Sequence, residues 1–233
     1  MSRNIDNLRD IVHDLKTPIT SIKGFVELLL QSPQKPEVTK EFYNIILDES
    51  HKLLNMINEI LYSCKNQDIN NINNSQEYNL NIQIGKYVKE LTPLARKKNI
   101  DININSNSSD IYVSIPEDKL SRLLTNIIEN AIKYNREHGK VFIDINQEQD
   151  MVFVKIRDTG IGIPEEELDK IFNKYYRSSI VENDISFEGS GLGLAIAHDI
   201  VTDYNGTISV NSKLNEYTEF VISFPASQIN QIQ

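Results

Sequence analysis

A single cysteine, Cys64, in 233 residues excludes an internal disulfide framework, and no Cys/His spacing typical of a structural zinc site is present. Cys64 falls within a helical pattern and reads as a small buried or half-buried side chain. No apolar run approaches the roughly 18 to 20 residues needed to cross a bilayer. The opening MSRNIDNLRDIV also lacks the basic-then-apolar pattern of a secretion signal. Basic residues are in deficit: 24 Lys and Arg against 33 Asp and Glu give a net charge of −9. That is the wrong balance for a face that displaces counterions from nucleic acid. Internal repeats are missing too. Hydrophobic content of 39% and charged content of 24% exclude wholesale disorder. The expectation is a cytoplasmic protein of one or two compact units, meeting a membrane only as the intracellular part of a longer protein.

What is present divides at residue 66. Residues 1–65 read as two long helices. In the first, Leu8, Val12, Leu15, Ile19, Ile22, Val26 and Leu29 alternate spacings of four and three, a heptad seam. After the breakers Ser32, Pro33 and Pro36, Phe42, Ile46, Leu53, Met56 and Ile60 form one stripe of the second helix. Leu47, Leu54, Ile57 and Leu61 form another. A stripe this wide suits a helix with two neighbours, and two helices alone do not cover both faces, so the expected state is a dimeric four-helix bundle. Residues 66–76, rich in Asn, Ser and Gln without apolar period, read as a linker.

From residue 77 to 228 helix and strand patterns mix. Helices are predicted over 84–98, 117–135 and 192–203, and strands over 100–105, 111–115, 141–146, 151–157, 207–211 and 219–224, with an irregular stretch at 164–190. Mostly antiparallel strands covered by three helices imply an α+β sandwich. Residues 229–233 read as a tail.

His13 lies one residue past the heptad position Val12, so it flanks the seam, and shares a face with Thr17, Thr20 and Gly24. A neutral imidazole has a free ring nitrogen for nucleophilic attack. The neighbouring Asp14 can hold the other nitrogen protonated, and Thr17 can position a water. Pro18 should loosen or bend the helix close by. His51, His138 and His198 lack this setting and read as ordinary solvated histidines.

A second group of motifs lies in the sandwich. Asn126, Asn130 and Lys133 fall at i, i+4 and i+7 of one helix, with Tyr134 adjacent. Two carboxamide oxygens suit a hard cation such as Mg2+, a lysine suits phosphate, and a flat ring suits a base. Asp158-Thr-Gly160-Ile-Gly162 directly follows a strand, where a carboxylate can accept from an exocyclic amine. Gly189-Ser-Gly191-Leu192-Gly193 opens a helix, exposing N–H groups to an anion. Without GK[ST] it is not a Walker A loop, and without a preceding strand it is not a dinucleotide fingerprint. Between the glycine clusters lies Ile171-Phe-Asn-Lys-Tyr175-Tyr-Arg177, in a stretch long enough for a lid, with Phe172 and Tyr175 as packing anchors.

Taken in order, VHDLKTPITSIKGF, NIIENAIKY, DTGIGI, IFNKYYR and GSGLGLAIA resemble the H, N, first glycine, F and second glycine boxes of sensor histidine kinases of two-component systems. The resemblance spans roughly residues 5–225. It implies a dimerisation and histidine-phosphotransfer hairpin followed by an ATP-binding domain of the Bergerat type. On that resemblance His13 would accept phosphate from ATP and pass it to an aspartate of a response regulator. Asp14 would activate His13, and Thr17 would assist regulator dephosphorylation. Asn130, supported by Asn126, would ligate Mg2+, and Lys133 would meet phosphate. Tyr134 would flank the adenine and Asp158 would bond its amine. Gly160 and Gly162 would shape the base pocket, while Tyr175, Arg177, Gly189, Gly191, Leu192 and Gly193 would complete the phosphate and lid region. Asp14 and Lys16 stand where Glu and Arg are commoner, and both keep the charge. A stand-alone Bergerat ATPase or serine kinase would leave the His13 motif without a purpose. A non-catalytic scaffold would have no need of polar residues at every box.

Overall fold

The computed structural model describes residues 2–31, 35–65, 77–182 and 191–227, with the side chains of 2–14, 51–52, 55, 58–65 and 182 outside that description. The 66–76 segment and the 229–233 tail therefore lie outside the described residues, as do the side chains of Leu8, Val12, Ile60, Leu61 and Cys64. The chain divides into two compact units, Met1–Asn70 and Asn71–Gln233. No helix among the described residues is long and apolar enough to cross a membrane.

The first unit is a hairpin of α1 (Ser2–Gln31) and α2 (Pro36–Lys65). Proline suits the first turn of α2, where its missing N–H has no helical partner to lose. The Lys35 carbonyl accepts from both the N–H and the hydroxyl of Thr39, closing that turn. Phe25 and Phe42 meet across the hairpin with ring centroids 5.0 Å apart. Phe42, Ile46, Leu53 and Met56 are half-buried, whereas Leu47, Leu54 and Ile57 of the other stripe are exposed. The heptad seam of α1 is divided in the same way: Leu15, Ile22 and Leu29 are half-buried while Ile19 and Val26 are exposed. Pro18 is buried and sits inside a continuous helix, so it does not break α1.

The second unit is a two-layer sandwich. Its elements run β1 (Tyr78–Asn79), α3 (Leu80–Lys97), β2 (Asp101–Ser106), β3 (Tyr112–Val113), α4 (Glu117–Lys133), β4 (Lys140–Glu148) and β5 (Met151–Asp158). A 3-10 turn (Glu165–Glu167), α5 (Ser179–Glu182), α6 (Gly193–Asp203), β6 (Thr207–Lys213) and β7 (Tyr217–Pro225) follow. The sheet order is β2-β4-β5-β7-β6, with β2 parallel to β4 and every other pairing antiparallel. Alternation places Val141, Ile143 and Ile145 of β4, Val152, Val154 and Ile156 of β5, and Phe220, Ile222 and Phe224 of β7 on the buried face. Against them lie the apolar stripes of α3, α4 and α6, including Ile84, Leu123, Ile127, Ile128 and Ile200. One covered face and one open face are normal for an antiparallel sheet.

Several boundaries depart from the sequence expectations. Helix α3 starts at Leu80 rather than 84, because Asn79 caps it, its Oδ1 accepting from the Ile82 N–H. The strand expected over 111–115 shortens to β3, which among the described residues pairs only with β1. Ile111, Val113 and Ile115 alternate into the core as expected, but Pro116 follows at once and the segment stays outside the main sheet. Helix α4 ends at Lys133, two residues early, where Tyr134 closes it by donating to the Asn130 carbonyl. Helix α6 begins at Gly193 with Leu192 as its N-cap.

Candidate functional site

On α1, His13, Asp14 and Thr17 fall within unbroken helix, and Thr17 lies one turn beyond His13. The side chains of His13 and Asp14 are outside the described residues. Thr17 is exposed, and one turn on Thr20 donates its hydroxyl back to the Lys16 carbonyl. Gly24 adds no bulk to this face, since a Cβ there would meet nothing within 4 Å.

In the sandwich, the chemistry collects where β5, α4 and α6 end or begin. Along β5 the inward positions are 152, 154, 156 and 158, so the alternation that buries three apolar side chains also carries the Asp158 carboxylate under the helix layer. Asp158 is 4% exposed. Burial pushes its carboxyl from 3.8 up to about 7, although the backbone N–H groups of Gly160 and Thr218 and the charge of Arg157 pull the other way. The Gly160 N–H lies 2.8 Å from Asp158 Oδ1. A Cβ at Gly160 would collide with the Tyr134 carbonyl and lie 2.7 Å from that carboxylate oxygen, so only glycine permits the approach.

The end of α4 is stitched to this turn. The Tyr134 carbonyl accepts from the Ile161 N–H at 3.1 Å. Lys133 Nζ lies 5.1 Å from the centroid of the Tyr134 ring. Burial raises the Tyr134 phenol pKa, and the charge of Arg177 opposes the rise, which brings the arginine of the IFNKYYR segment into the electrostatic range of Tyr134. Asn130 is half-buried one turn before Tyr134. Asn126 Nδ2 donates to the Gly193 carbonyl at 2.9 Å, joining α4 to the start of α6. Gly162 is buried between Ile161, whose carbonyl accepts from the Asn215 N–H, and Ile163, whose N–H donates to Ser212 Oγ.

Gly191 has φ +71°, and a Cβ there would come 2.7 Å from the Tyr175 carbonyl carbon, so the position requires glycine. Its carbonyl accepts from the Tyr175 N–H at 3.0 Å. Tyr175 is itself left-handed at φ 67°. Leu192 is buried at the head of α6, and its carbonyl accepts the Ile196 N–H. Phe172 packs against His198 and Phe220, with centroids 5.5 and 6.4 Å away. Gly189 lies outside the described residues. The structure thus gathers residues from α4, the Asp158 turn, the Tyr175–Arg177 strap and the Gly191–Gly193 corner within one unit.

Sequence reasoning missed several residues that hold these parts in place. Asn135 is buried, donating Nδ2 to the Lys140 carbonyl and accepting on Oδ1 from the Arg136 N–H and the Thr159 hydroxyl. Lys98 donates to the carbonyls of Lys133 and Asn135, placing a cation at the α4 C-terminus, and burial lowers its pKa. Glu167 is buried within the 3-10 turn. Among the described residues no group of three or more His, Cys, Asp or Glu side chains is placed to hold a metal. The oxygen donors that suit a hard cation are the carboxamides of Asn126 and Asn130. The Asn126 amide nitrogen donates to the Gly193 carbonyl, and its carboxamide oxygen is chemically suited to accept or to meet a hard cation.

Two family models match the chain. Residues 4–68 match the His Kinase A (phospho-acceptor) domain, and residues 115–228 match the histidine kinase-, DNA gyrase B- and HSP90-like ATPase. The chain belongs to the histidine kinase family. Sensor histidine kinase WalK of Bacillus subtilis is 28% identical over 93% of this chain and 36% of its own length. Signal transduction histidine-protein kinase ArlS of Staphylococcus epidermidis is 32% identical over 94% of this chain and 47% of its own. The chain therefore spans less than half the length of either relative. Among solved structures, histidine kinase ThkA in complex with response regulator protein TrrA is similar at a TM-score of 0.75 and 25% identity, over 95% of this chain and 61% of that one. The nucleotide-free ThkA catalytic domain is 28% identical with a TM-score of 0.58, covering 66% of this chain and 98% of its own. The fold is accordingly the helical hairpin followed by a Bergerat-type sandwich, and the second unit carries the family's ATPase domain.

Proposed function

We propose that the chain phosphorylates itself on His13 from Mg-ATP and passes the phosphoryl group to an aspartate of a response regulator, with dephosphorylation of that regulator as a second activity. The observation that carries this reading is the presence in one chain of a phospho-acceptor hairpin containing His13 and an ATPase sandwich with a desolvated carboxylate at the end of β5. The domains are assigned as 1–65 for phosphotransfer and dimerisation, 66–76 as linker, 77–228 for ATP binding and 229–233 as tail.

In the first step a ring nitrogen of His13 forms a bond to the γ-phosphorus as the bond from that phosphorus to the bridging oxygen breaks, releasing ADP. Asp14 holds the proton on the other ring nitrogen. Thr17 positions the water that later hydrolyses the regulator's acyl phosphate. Asp158 accepts from the adenine amine, and Gly160 and Gly162 let the turn approach the base beside Tyr134. Lys133, Arg177 and the corner of Gly191, Leu192 and Gly193 meet the phosphates, with Tyr175 bracing that corner, and the Gly189 position of the motif is assigned to the same lid. Asn130, supported by Asn126, would hold Mg2+, which would supply neutralisation of phosphate charge. Positioning and charge neutralisation supply most of the rate in such transfers.

The exposed stripe of Leu47, Leu54 and Ile57, with Ile19 and Val26 on α1, supports a homodimer closed by a second copy of the hairpin. The regulator partner is supported by the regulator seen with ThkA. Incubation with γ-labelled Mg-ATP tests the reading. Label that is lost in acid, kept in base and absent from His13→Gln supports it. Measurable ATP binding with no label on the protein overturns it in favour of a scaffold.

A further inference from the structure

Within the segment that joins the two glycine motifs, Glu165, Glu166, Asp169 and Lys170 are exposed, whereas Glu167 is 6% exposed. The 3-10 turn aims this one carboxylate inward, its N–H donating to the Pro164 carbonyl at 3.0 Å. Glu167 Oε1 accepts from the Ser179 N–H at 3.2 Å and from the Ser179 hydroxyl. Those bonds tie the beginning of the segment to the first residue of α5, twelve residues further on. Helix α5 has only four residues, far too few to stand by itself, so its N-terminal groups depend on this external acceptor.

Arg177 lies two residues before Ser179, and its Nη2 donates to the Val181 carbonyl inside α5 at 3.1 Å. Its orientation is therefore set by the place of α5, which Glu167 holds. The near end of the same strap is fixed independently, by Ile171 in the core and Phe172 on Phe220. Burial opposes the Glu167 charge, yet the hydroxyl and amide dipoles of Ser178, Ser179 and Tyr176 outweigh it and hold the carboxyl below its ordinary range. A buried carboxylate carries a desolvation penalty that an apolar side chain of the same size avoids, which favours orientation over stability as its role.

We infer that Glu167 is a positioning residue for nucleotide binding, acting through Ser179 and α5 to aim Arg177 at the phosphates. The inference rests on the nucleotide-site reading given above. A fluorescent ATP analogue titrated against the full chain with Mg2+ provides the test, with adenosine as a competitor that lacks phosphates. Arg177→Ala should weaken the analogue about tenfold and Glu167→Ala by a similar factor. The double variant should be no weaker than Arg177→Ala alone, while adenosine affinity stays unchanged in all three. Glu167→Gln, which keeps an acceptor for Ser179, should return to within about threefold of the unaltered chain. Absence of analogue binding by the unaltered chain would overturn the nucleotide site and this inference with it. Analogue affinity left unchanged by Arg177→Ala, losses that multiply in the double variant, or an equal loss of adenosine would overturn the inference alone.

Discussion

In the hairpin, Ile19, Val26, Leu47, Leu54 and Ile57 lie 38% to 57% exposed, whereas Leu123, Ile127, Ile143 and Ile222 of the sandwich are wholly buried. Both regions carry strong apolar periodicity, so the difference lies in what each stripe has to face. The sandwich closes its sheet with helices from the same chain and has a complete core. Two antiparallel helices cover only one side of each other, and the remaining stripe is left exposed, as the proposed homodimer requires. On the proposed function this division matches a division of labour, a self-sufficient nucleotide unit and a hairpin that would pack by association.

The largest break of this comparison concerns the nucleotide unit. Asn130→Ala should lower phosphoprotein formation about a hundredfold or more in Mg2+, with the hairpin's self-association unchanged. Full labelling in that variant would sink the metal assignment. Next come paired apolar truncations. Ile127→Ala should destabilise the sandwich by about 2 to 5 kcal/mol in denaturant unfolding. Leu54→Ala should leave that transition in place and weaken the dimer, read by sedimentation at falling concentration. Equal effects on the sandwich would remove the contrast.

The acid–base behaviour of Asp158 sharpens it further. The folded state holds this proton up to about 7 against 3.8 in the unfolded chain. Stability from Asp158 is therefore complete below the unfolded value and is lost as pH rises through about 7. Without nucleotide, the sandwich should lose up to about 1.4 kcal/mol per pH unit across that window relative to Asp158→Asn. An amine donor from adenine favours the ionised carboxylate, so ATP should bind more tightly as pH rises toward neutrality and release protons on binding. A flat difference between the two chains would contradict this account of the carboxylate's burial. The smallest effect expected is that of Thr17→Ala, which should slow regulator dephosphorylation several-fold more than autophosphorylation. Equal losses in both would argue against its assigned role.

Much of this was legible before the structure. The heptad of α1 and the two stripes of α2 define the hairpin, and the alternation of β5 leads straight to Asp158 because each link is periodic and local. Asn126 was legible as a polar residue on the right helix face, but its bond to Gly193 was not, since it joins residues 67 apart. Lys98, Asn135 and Glu167 are invisible to periodicity for the same reason. Each is a single polar side chain whose meaning arises from carbonyls or amides brought close by the fold. The strand expected over 111–115 shows the converse, with correct alternation serving a core position outside the main sheet.

The central claim is that nucleotide is held wholly by the sandwich while His13 supplies only the acceptor. Calorimetric ATP affinity of His13→Gln, measured with its labelling by γ-labelled Mg-ATP, addresses it directly. The account predicts the affinity of the unaltered chain together with no phosphoprotein. A loss of ATP affinity in that variant, or label that persists, would contradict it.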